Sequence, residues 1–454
     1  MSLKVCKVLC IIATFLEQYL LCLSDLGWNA FSRWTDQDRP DLNVLQQDLG
    51  ECTAPVAVTL ADTDSYSNEK RHTEAVSTFI DRLRAIDAKP QTTNRPIEGA
   101  YLKDFHFVQQ APVAARNAYK TPECFKEDFL NWWWSGGACN ALEALKAEKP
   151  YVNMSEAQSH TLRELFPRED DFRFLYLGMA GTGTGLHHDV VCSHSWSAQL
   201  AGYKLWTMFE PEAAVHLICS ATGDCVVDDV WSAAPADCRL QVQDLVGRAC
   251  AAQRCSLPAA LQMHHEGAAT PSLLDASVWS RAFVAVQPPQ TAMFVPSGWY
   301  HQVHNLTRSL SINHNWFDSS ALASVCAFVV AEAIEVRKRI ADCQTAHLDI
   351  AEDVQFGVLC ERVMRADIRC NIAQFCLLLS LLHGLLKPGP AADLRPLLHD
   401  PSTVGKAIDE CAGLLAAEPL VQMSMAAAQD EQLRESMVKH GLCIVACFIG
   451  DTAD

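Results

Sequence analysis

A core of short antiparallel β-strands followed by a helical C-terminal region, an α+β organisation, is what this 454-residue sequence predicts. Two stretches in which the apolar period is two carry the first half of that expectation. One runs from Asp171 to Pro211 and the other from Ser280 to Phe317, and glycine turns divide the first into segments of strand length. The third observation is the return to helical spacing after Phe317, where "DSSALASVCAFVVAEAIEVRKRI" begins with a polar N-cap cluster. Short strands in succession argue for a sandwich or small barrel rather than a parallel βαβ sheet.

The elements follow in chain order. "MSLKVCKVLCIIATFLEQYLLCL" places Lys4 and Lys7 before an apolar run, as a signal peptide does, but Glu17 interrupts the run and no clean small-x-small site follows. The chain is therefore expected in the cytoplasm, or the nucleus, rather than outside the cell. Residues 1–98 read as a mixed region in which "TLADTDSYSNEKRH" is a loop and "TEAVSTFIDRLRAI" an amphipathic helix. "GAYLKDFHF" at 99–107 alternates as a strand leading into a loop, and "CFKEDFLNWWWSGG" is helical until Gly136 and Gly137 stop it.

"DFRFLYLGMAG", "GLHHDVVCSHSWSAQLAG" and "YKLWTMFEP" supply the first strands; "SRAFVAV", "TAMFVP", "YHQVHN" and "SLSINHNWF" supply the second set. Between them, residues 212–278 are rich in Ala and Cys with weak helical patterning, and read as an insertion. The expected domains are 1–98, 99–317 with that insertion, and a helical 318–454. The apolar run "FCLLLSLLHGLL" at 375–386 is shorter than the ~20 residues a membrane span needs. It is expected to be a buried helix, and no membrane association is expected.

Composition excludes some functions. A formal net charge of −18 speaks against nucleic-acid binding, which uses a basic face, and is compatible with a basic protein partner. The 20 cysteines include no C-x-x-C pair, so neither a disulfide framework nor a zinc ribbon is signalled, and buried thiols in a reducing compartment are expected. The Cys and His residues of 219–265 are spaced too irregularly to signal a second metal site. "NMS" at 153–155 and "NLT" at 305–307 match the glycosylation sequon, which a cytosolic chain does not use. "GMAGTGTG" lacks the strand–loop–helix context of a phosphate-binding loop.

The chemistry concentrates in "TGLHHDVVCSHSW" at 184–196. Side chains at i and i+2 of a strand share a face, so His187 and Asp189 point one way and His188 the other. An imidazole and a carboxylate together make two ligands of a divalent-metal site, and His301 in "PSGWYHQVHN" offers a third from another strand. Two histidines and one carboxylate are the facial triad of non-haem Fe(II) oxygenases. An isolated H-x-D is weak, and a hydrogen-bonded core histidine is the bland reading of His187.

The surrounding text narrows the choice. Thr-x-Leu-His-x-Asp from Thr184, Lys-x-Trp from Lys204, and Pro-x-Gly-Trp-x-His ending at His301 occur in the order found in the JmjC (Jumonji C) domain, and over about 99–317 the chain resembles that family. Within it the likeness, through "YLKDFH", "DDFRFLY", "SWS" and "VPSGWYHQVHNL…SINHNW", runs towards lysyl hydroxylases described as acting on a eukaryotic translation release factor.

The resemblance implies a cupin-like double-stranded β-helix with helical decoration, and an oxygenase using Fe(II), 2-oxoglutarate and O2. It makes His187, Asp189 and His301 the metal ligands. It assigns Lys204 to the distal carboxylate of 2-oxoglutarate, a role that also answers the cost of burying a lysine in the apolar strand "GYKLWTMF". Tyr101, Thr184, Asn313 and Ser197 fall at positions that contact the cosubstrate, though each is equally readable as a satisfied structural polar group. His188, His194, His304 and His314 are read as packing or hydrogen-bonding residues. The expected partner is a lysine-containing protein substrate, with the C-terminal helices offering a homodimer surface as in some relatives. A JmjC lysine demethylase shares every ligand, and a non-catalytic cupin scaffold shares the fold.

Overall fold

The computed structural model describes residues 20–59, 70–88, 99–137, 171–217, 229–231, 247, 276–279, 281–343, 350–386, 400–419 and 421–422. The extreme N-terminus, the Cys and His residues of 219–265, and Asn153 lie outside the described residues. Two compact units are formed: one from residues 1–122, 172–189 and 194–315, the other from 123–171, 190–193 and 316–454.

The first unit is built on strands β1 (Leu20–Cys22), β2 (Thr35–Asp36), β3 (Arg39–Pro40), β4 (Thr53–Thr59), β5 (Lys70–Ala75), β6 (Gly99–Phe105), β7 (Arg173–Gly178), β8 (Gly183–His187), β9 (His194–Ala201), β10 (Lys204–Phe209), β11 (Phe283–Gln287), β12 (Thr291–Val295), β13 (Tyr300–Asn305) and β14 (Ser309–Trp316). An eight-stranded sheet has the order β1-β12-β9-β14-β7-β6-β4-β5, and a four-stranded sheet the order β11-β10-β13-β8. From β7 onward the chain alternates between the two sheets, with one hairpin, β10–β11, inside the smaller. That is the double-stranded β-helix of a jelly roll.

Period-two alternation explains the core. Trp206 and Met208 of β10 pack with Ala285, Met293, Val295 and Val303, while Leu205 and Phe209 pack into a second cluster with Leu186, Val284, Trp231 and Trp279. A sheet covered on both faces needs apolar residues at odd and even positions alike, hence the continuous run "KLWTMF". β10 and β11 pair through five rungs, from Lys204↔Gln287 to Met208↔Phe283. At the far end of the expected insertion, Trp279 lies 4.7 Å from Trp231, ring centre to ring centre.

The N-terminal region supplies strands as well as the expected helical decoration. β4 and β5 extend the large sheet beyond β6, and β1 pairs with β12. Two helices of eight residues or more accompany them. α1 (Leu42–Leu49) is capped by Asp41, whose side chain accepts from the amides of Asn43 and Val44. α2 (Val76–Asp87) buries Val76, Phe79, Ile80 and Leu83, the i, i+3, i+4, i+7 stripe expected from sequence.

The second unit is helical: α3 (Phe129–Trp134), α4 (Leu322–Arg339), α5 (Ile350–Ile368), α6 (Ile372–Leu386) and α7 (Pro401–Leu415). Asp128 caps α3 and Asp400 caps α7. α6 is buried on nearly every side, from Ile372 to Leu385, which is why its sequence shows no polar face. No single described helix is long and apolar enough to cross a membrane; residues 354–368 and 372–386 reach that length only together, across a 79° bend. The described cysteines are free thiols, with Cys326, Cys360, Cys370, Cys376 and Cys411 buried.

Candidate metal and cosubstrate site

β8 ends on His187, and β13 carries His301 directly opposite it. A turn at Pro296–Trp299, with Gly298 at φ +75°, delivers the chain from β12 into β13. The two imidazole centres are 4.2 Å apart, and His301 Nε2 lies 3.8 Å from Asp189 Oδ2. One potential ligand atom from each of the three residues falls within 4.8 Å of the others, and no further His, Cys, Asp or Glu joins this group among the described residues.

Asp189 sits two residues beyond the end of β8 rather than on the strand itself. Thr184 also shares the His187 face, against simple parity. The register slips between the pairs His301↔His187 and Val303↔Thr184, so a bulge in β8 turns both residues inward.

The protonation pattern suits metal ligation. His187 Nδ1 donates to the Gly185 carbonyl at 2.9 Å and His301 Nδ1 to the Trp299 carbonyl at 3.3 Å. A carbonyl can only accept, so each Nδ1 carries a hydrogen, and in the neutral ring the lone pair is left on Nε2. Burial, reinforced by His187, pushes His301 down to about 4, so it is neutral at physiological pH. Burial raises the Asp189 carboxyl, but the attraction of either imidazole when it carries a proton, with hydrogen bonds from Ser195 and Asn315, outweighs it and holds the carboxyl below its usual range.

Asn315 Nδ2 donates to Asp189 Oδ1 at 2.6 Å, whereas Oδ2 is buried with no hydrogen-bond partner. An unpaired buried carboxylate oxygen is costly unless a cation faces it. Two imidazole nitrogens and this oxygen fit an Fe(II) ion with coordination positions to spare; a closed zinc site would use a fourth protein donor.

Lys204 lies deeper in the same sandwich. It is only 2% exposed, and burial lowers it from 10.5 to about 7. Its Nζ donates to Ser311 Oγ at 2.6 Å, Ser311 Oγ donates to Asn313 Oδ1 at 3.0 Å, and Ser197 Oγ donates to the same oxygen at 3.0 Å. Among the described residues no carboxylate forms an ion pair with it. A buried ammonium without a counter-ion is suited to an anionic ligand.

Three of the expected cosubstrate residues, Lys204, Asn313 and Ser197, are thus joined in one hydrogen-bonded chain. Tyr101 is buried on β6 opposite Gly178, with its ring 5.9 Å from that of Tyr176, which in turn lies 5.6 Å from Lys204 Nζ. Thr184 is half-buried beside the triad.

The other histidines have structural partners. His188 Nδ1 donates to the Asp189 carbonyl, and His194 Nδ1 accepts from the Ser297 amide. His304 lies 3.4 Å from Gln302 Nε2, and His314 Nε2 meets Tyr119 Oη at 2.6 Å with its ring stacked on Trp196.

Sequence reasoning missed Ser195, Asn315, Ser311 and Trp206, whose indole stacks on His301 at 5.8 Å and 25°. A signal for two of them was present: Ser309, Ser311, Asn313 and Asn315 alternate along a strand whose intervening positions are Leu310, Ile312, His314 and Trp316.

Comparison with known proteins agrees with this geometry. The sequence model of the cupin-like domain family matches residues 22–322. The chain is similar to "Arginine-specific demethylase JMJ20" of Arabidopsis thaliana, 28% identical over 379 residues, covering 81% of this chain and 66% of that protein. It is similar to "2-oxoglutarate and iron-dependent oxygenase JMJD4" of Homo sapiens, 26% identical over 359 residues, 77% of this chain and 66% of that protein. It is similar to "JmjC domain-containing protein 1" of Schizosaccharomyces pombe, 28% identical over 287 residues, 62% of this chain and 47% of that protein. The chain therefore spans just under two thirds, or less, of the length of these relatives.

Proposed function

The chain belongs to the cupin-like domain family, and from that premise we propose that it is an Fe(II)- and 2-oxoglutarate-dependent oxygenase that hydroxylates a lysyl side chain of a protein. The observation that carries the reading is the meeting of His187, Asp189 and His301 in one sandwich with a buried lysine that has no carboxylate partner among the described residues. The iron-and-2-oxoglutarate dependence named in relatives such as the human protein supports it.

When bound, iron and 2-oxoglutarate supply dioxygen activation coupled to decarboxylation of the cosubstrate to succinate and CO2. The protein's own residues prepare the ground for that chemistry. His187 and His301 present Nε2 lone pairs whose direction is set by the Nδ1–carbonyl bonds, and Asp189 presents Oδ2 because Asn315 engages Oδ1. Lys204 Nζ would receive the distal carboxylate, which favours its charged form, with Ser311 linking it to Asn313 and Ser197. Tyr101 and Thr184 would hydrogen-bond the same cosubstrate, as the resemblance implies. Trp206, Met208, Met293 and Val303 make the surrounding wall apolar and keep water out.

Lysine as the hydroxylated residue, and a translation release factor as the substrate, rest on the resemblance carried by "YLKDFH", "DDFRFLY" and "VPSGWYHQVHNL". Succinate release with candidate substrate proteins, followed by mass spectrometry, tests the reading. Gain of one oxygen on a lysine, lost in His187→Ala and Asp189→Ala, is the expected result; undiminished turnover in either variant would refute the assignment of the triad.

Demethylation is the second reading, favoured by similarity to a protein named as an arginine-specific demethylase over 81% of this chain. Loss of a methyl group as formaldehyde, in place of a retained oxygen, would establish it. A protein that binds neither metal nor 2-oxoglutarate would instead be a scaffold.

A further inference from the structure

We propose that Gln287 is a positioning residue for both ends of the site, holding Trp206 against His301 and the β9 backbone at Ser197 beside Lys204. The inference deepens the oxygenase reading and rests on it. Gln287 ends β11, at the edge of the four-stranded sheet, and is completely buried. Its amide is engaged on every side: Oε1 accepts from Trp206 Nε1 at 2.7 Å, and Nε2 donates to the Ser197 carbonyl at 2.7 Å and the Thr291 carbonyl at 3.0 Å. The first partner belongs to the four-stranded sheet; Ser197 and Thr291 belong to β9 and β12 of the eight-stranded sheet. One side chain therefore bridges the interior of the sandwich.

What it holds is the site. Trp206, tethered at Nε1, lies stacked on His301, and on its other side His301 meets His187. A tilt of the indole would leave room for the His301 ring to turn and carry Nε2 away from Asp189. Ser197, whose carbonyl Gln287 grips, passes its hydroxyl hydrogen to Asn313, the residue that also closes the chain from Lys204 through Ser311. Gln287 is also the direct cross-strand neighbour of Lys204. The Lys204–Ser311 bond is a second tie between the sheets, but it is one for which an arriving dicarboxylate competes. The Gln287 tie runs through an indole N–H and two main-chain carbonyls rather than through the ammonium, so an arriving dicarboxylate does not compete for it.

A mere core amide would cost stability when removed and leave the ligand affinities of the folded protein unchanged. Gln287→Leu keeps similar volume and deletes all three hydrogen bonds; Gln287→Glu keeps an acceptor for Trp206, deletes both donors, and sets a carboxylate beside Lys204. Co(II) titration under anaerobic conditions, followed by visible absorption, and calorimetric titration of 2-oxoglutarate into the Co(II)-loaded protein read the two ends separately. Thermal melting confirms that each variant is folded.

Gln287→Leu is expected to weaken Co(II) and 2-oxoglutarate each about tenfold, the lower end of losses seen when outer partners of metal ligands are removed. Gln287→Glu is expected to hold Co(II) within about twofold while weakening 2-oxoglutarate at least about tenfold, because an internal carboxylate competes for the ammonium. Should Gln287→Leu not fold, Trp206→Phe keeps a stacking ring, deletes the N–H, and is expected to weaken Co(II) with a smaller effect on 2-oxoglutarate. Folded variants that bind both ligands as the wild type does would overturn the inference and leave the oxygenase reading standing. A wild-type protein that takes up neither Co(II) nor 2-oxoglutarate would overturn both.

Discussion

Asn315 Nδ2 donates to Asp189 Oδ1 at 2.6 Å, and that bond decides which carboxylate oxygen is left facing His301. Without it only Ser195 would restrain the carboxylate about its terminal torsion, and the oxygen opposite the imidazoles would be less firmly fixed. Asn315→Ala should therefore lower divalent-metal affinity about 10–100-fold, the usual cost of losing an outer partner to a ligand. Anaerobic Co(II) titration measures it. Wild-type affinity in a folded variant would mean that Ser195 alone suffices to orient Asp189.

Lys204 sets a pH dependence. In the fold, burial holds it at about 7, against 10.5 for an ordinary lysine. Between those values the unfolded chain carries a proton that the folded chain lacks, so this group makes stability rise with pH from about 7 towards 10.5; below about 7 its cost is fully present. A bound dicarboxylate favours the charged form. Binding at about pH 8.5 should take up close to one proton, and affinity should fall about tenfold per pH unit above 7. Calorimetry in buffers of different ionisation heat reads the uptake. Lys204→Met should abolish it and weaken 2-oxoglutarate about 10–100-fold, and a proton uptake that survives the substitution would assign it elsewhere.

Glu361 sets an opposite slope in the helical unit. It is buried, its Oε2 accepts from the Ala373 amide at the start of α6, and burial pushes its carboxyl from 4.5 up to about 7, with Glu418 adding to the rise. The folded chain thus holds a proton that the unfolded chain releases between 4.5 and 7, and stability from this group is lost as pH rises through about 7. Glu361→Gln, which retains an acceptor for Ala373, should raise the melting temperature at about pH 8 and change it little at about pH 5. Equal shifts at both pH values would exclude ionisation as the cause.

Gly178 has no room for a methyl group. A Cβ there would lie 2.3 Å from Asn305 Nδ2, 2.7 Å from Tyr101 Cδ2 and 2.9 Å from Thr182 Oγ1. Gly178→Ala should destabilise the β unit by about 1–3 kcal/mol. Because Tyr101 is one of the atoms displaced, 2-oxoglutarate affinity should fall in the fraction that remains folded. Unchanged melting and unchanged affinity together would show that Tyr101 can move aside at no cost.

Much of the site was legible because its motifs are local. His187, Asp189 and the turn before His301 are each fixed by a few neighbouring residues, and the cost of burying Lys204 is visible in one strand. The inward face of Thr184 was not derivable from alternation, since it depends on a bulge whose register is set by β13. Asn315 and Ser195 acquire their meaning from where β14 and β9 meet Asp189, which no short window reports. The strand character of 53–59 was hidden by Pro55, a residue that normally counts against a paired strand, and by a partner, β6, more than forty positions away. α6 was recognised as a buried helix because its apolar run is too short for a bilayer and too continuous for a surface.

The indoles of Trp231 and Trp279 meet at 4.7 Å, so the chain that departs after one and returns before the other leaves and re-enters at a single place. Closing such an excursion costs only about 0.6 kcal/mol for each doubling of its length. Evolution or a protein engineer can therefore lengthen or trim that stretch at small entropic cost, provided that Asp229 and Val230 keep their bonds to Gln302, the neighbour of His301.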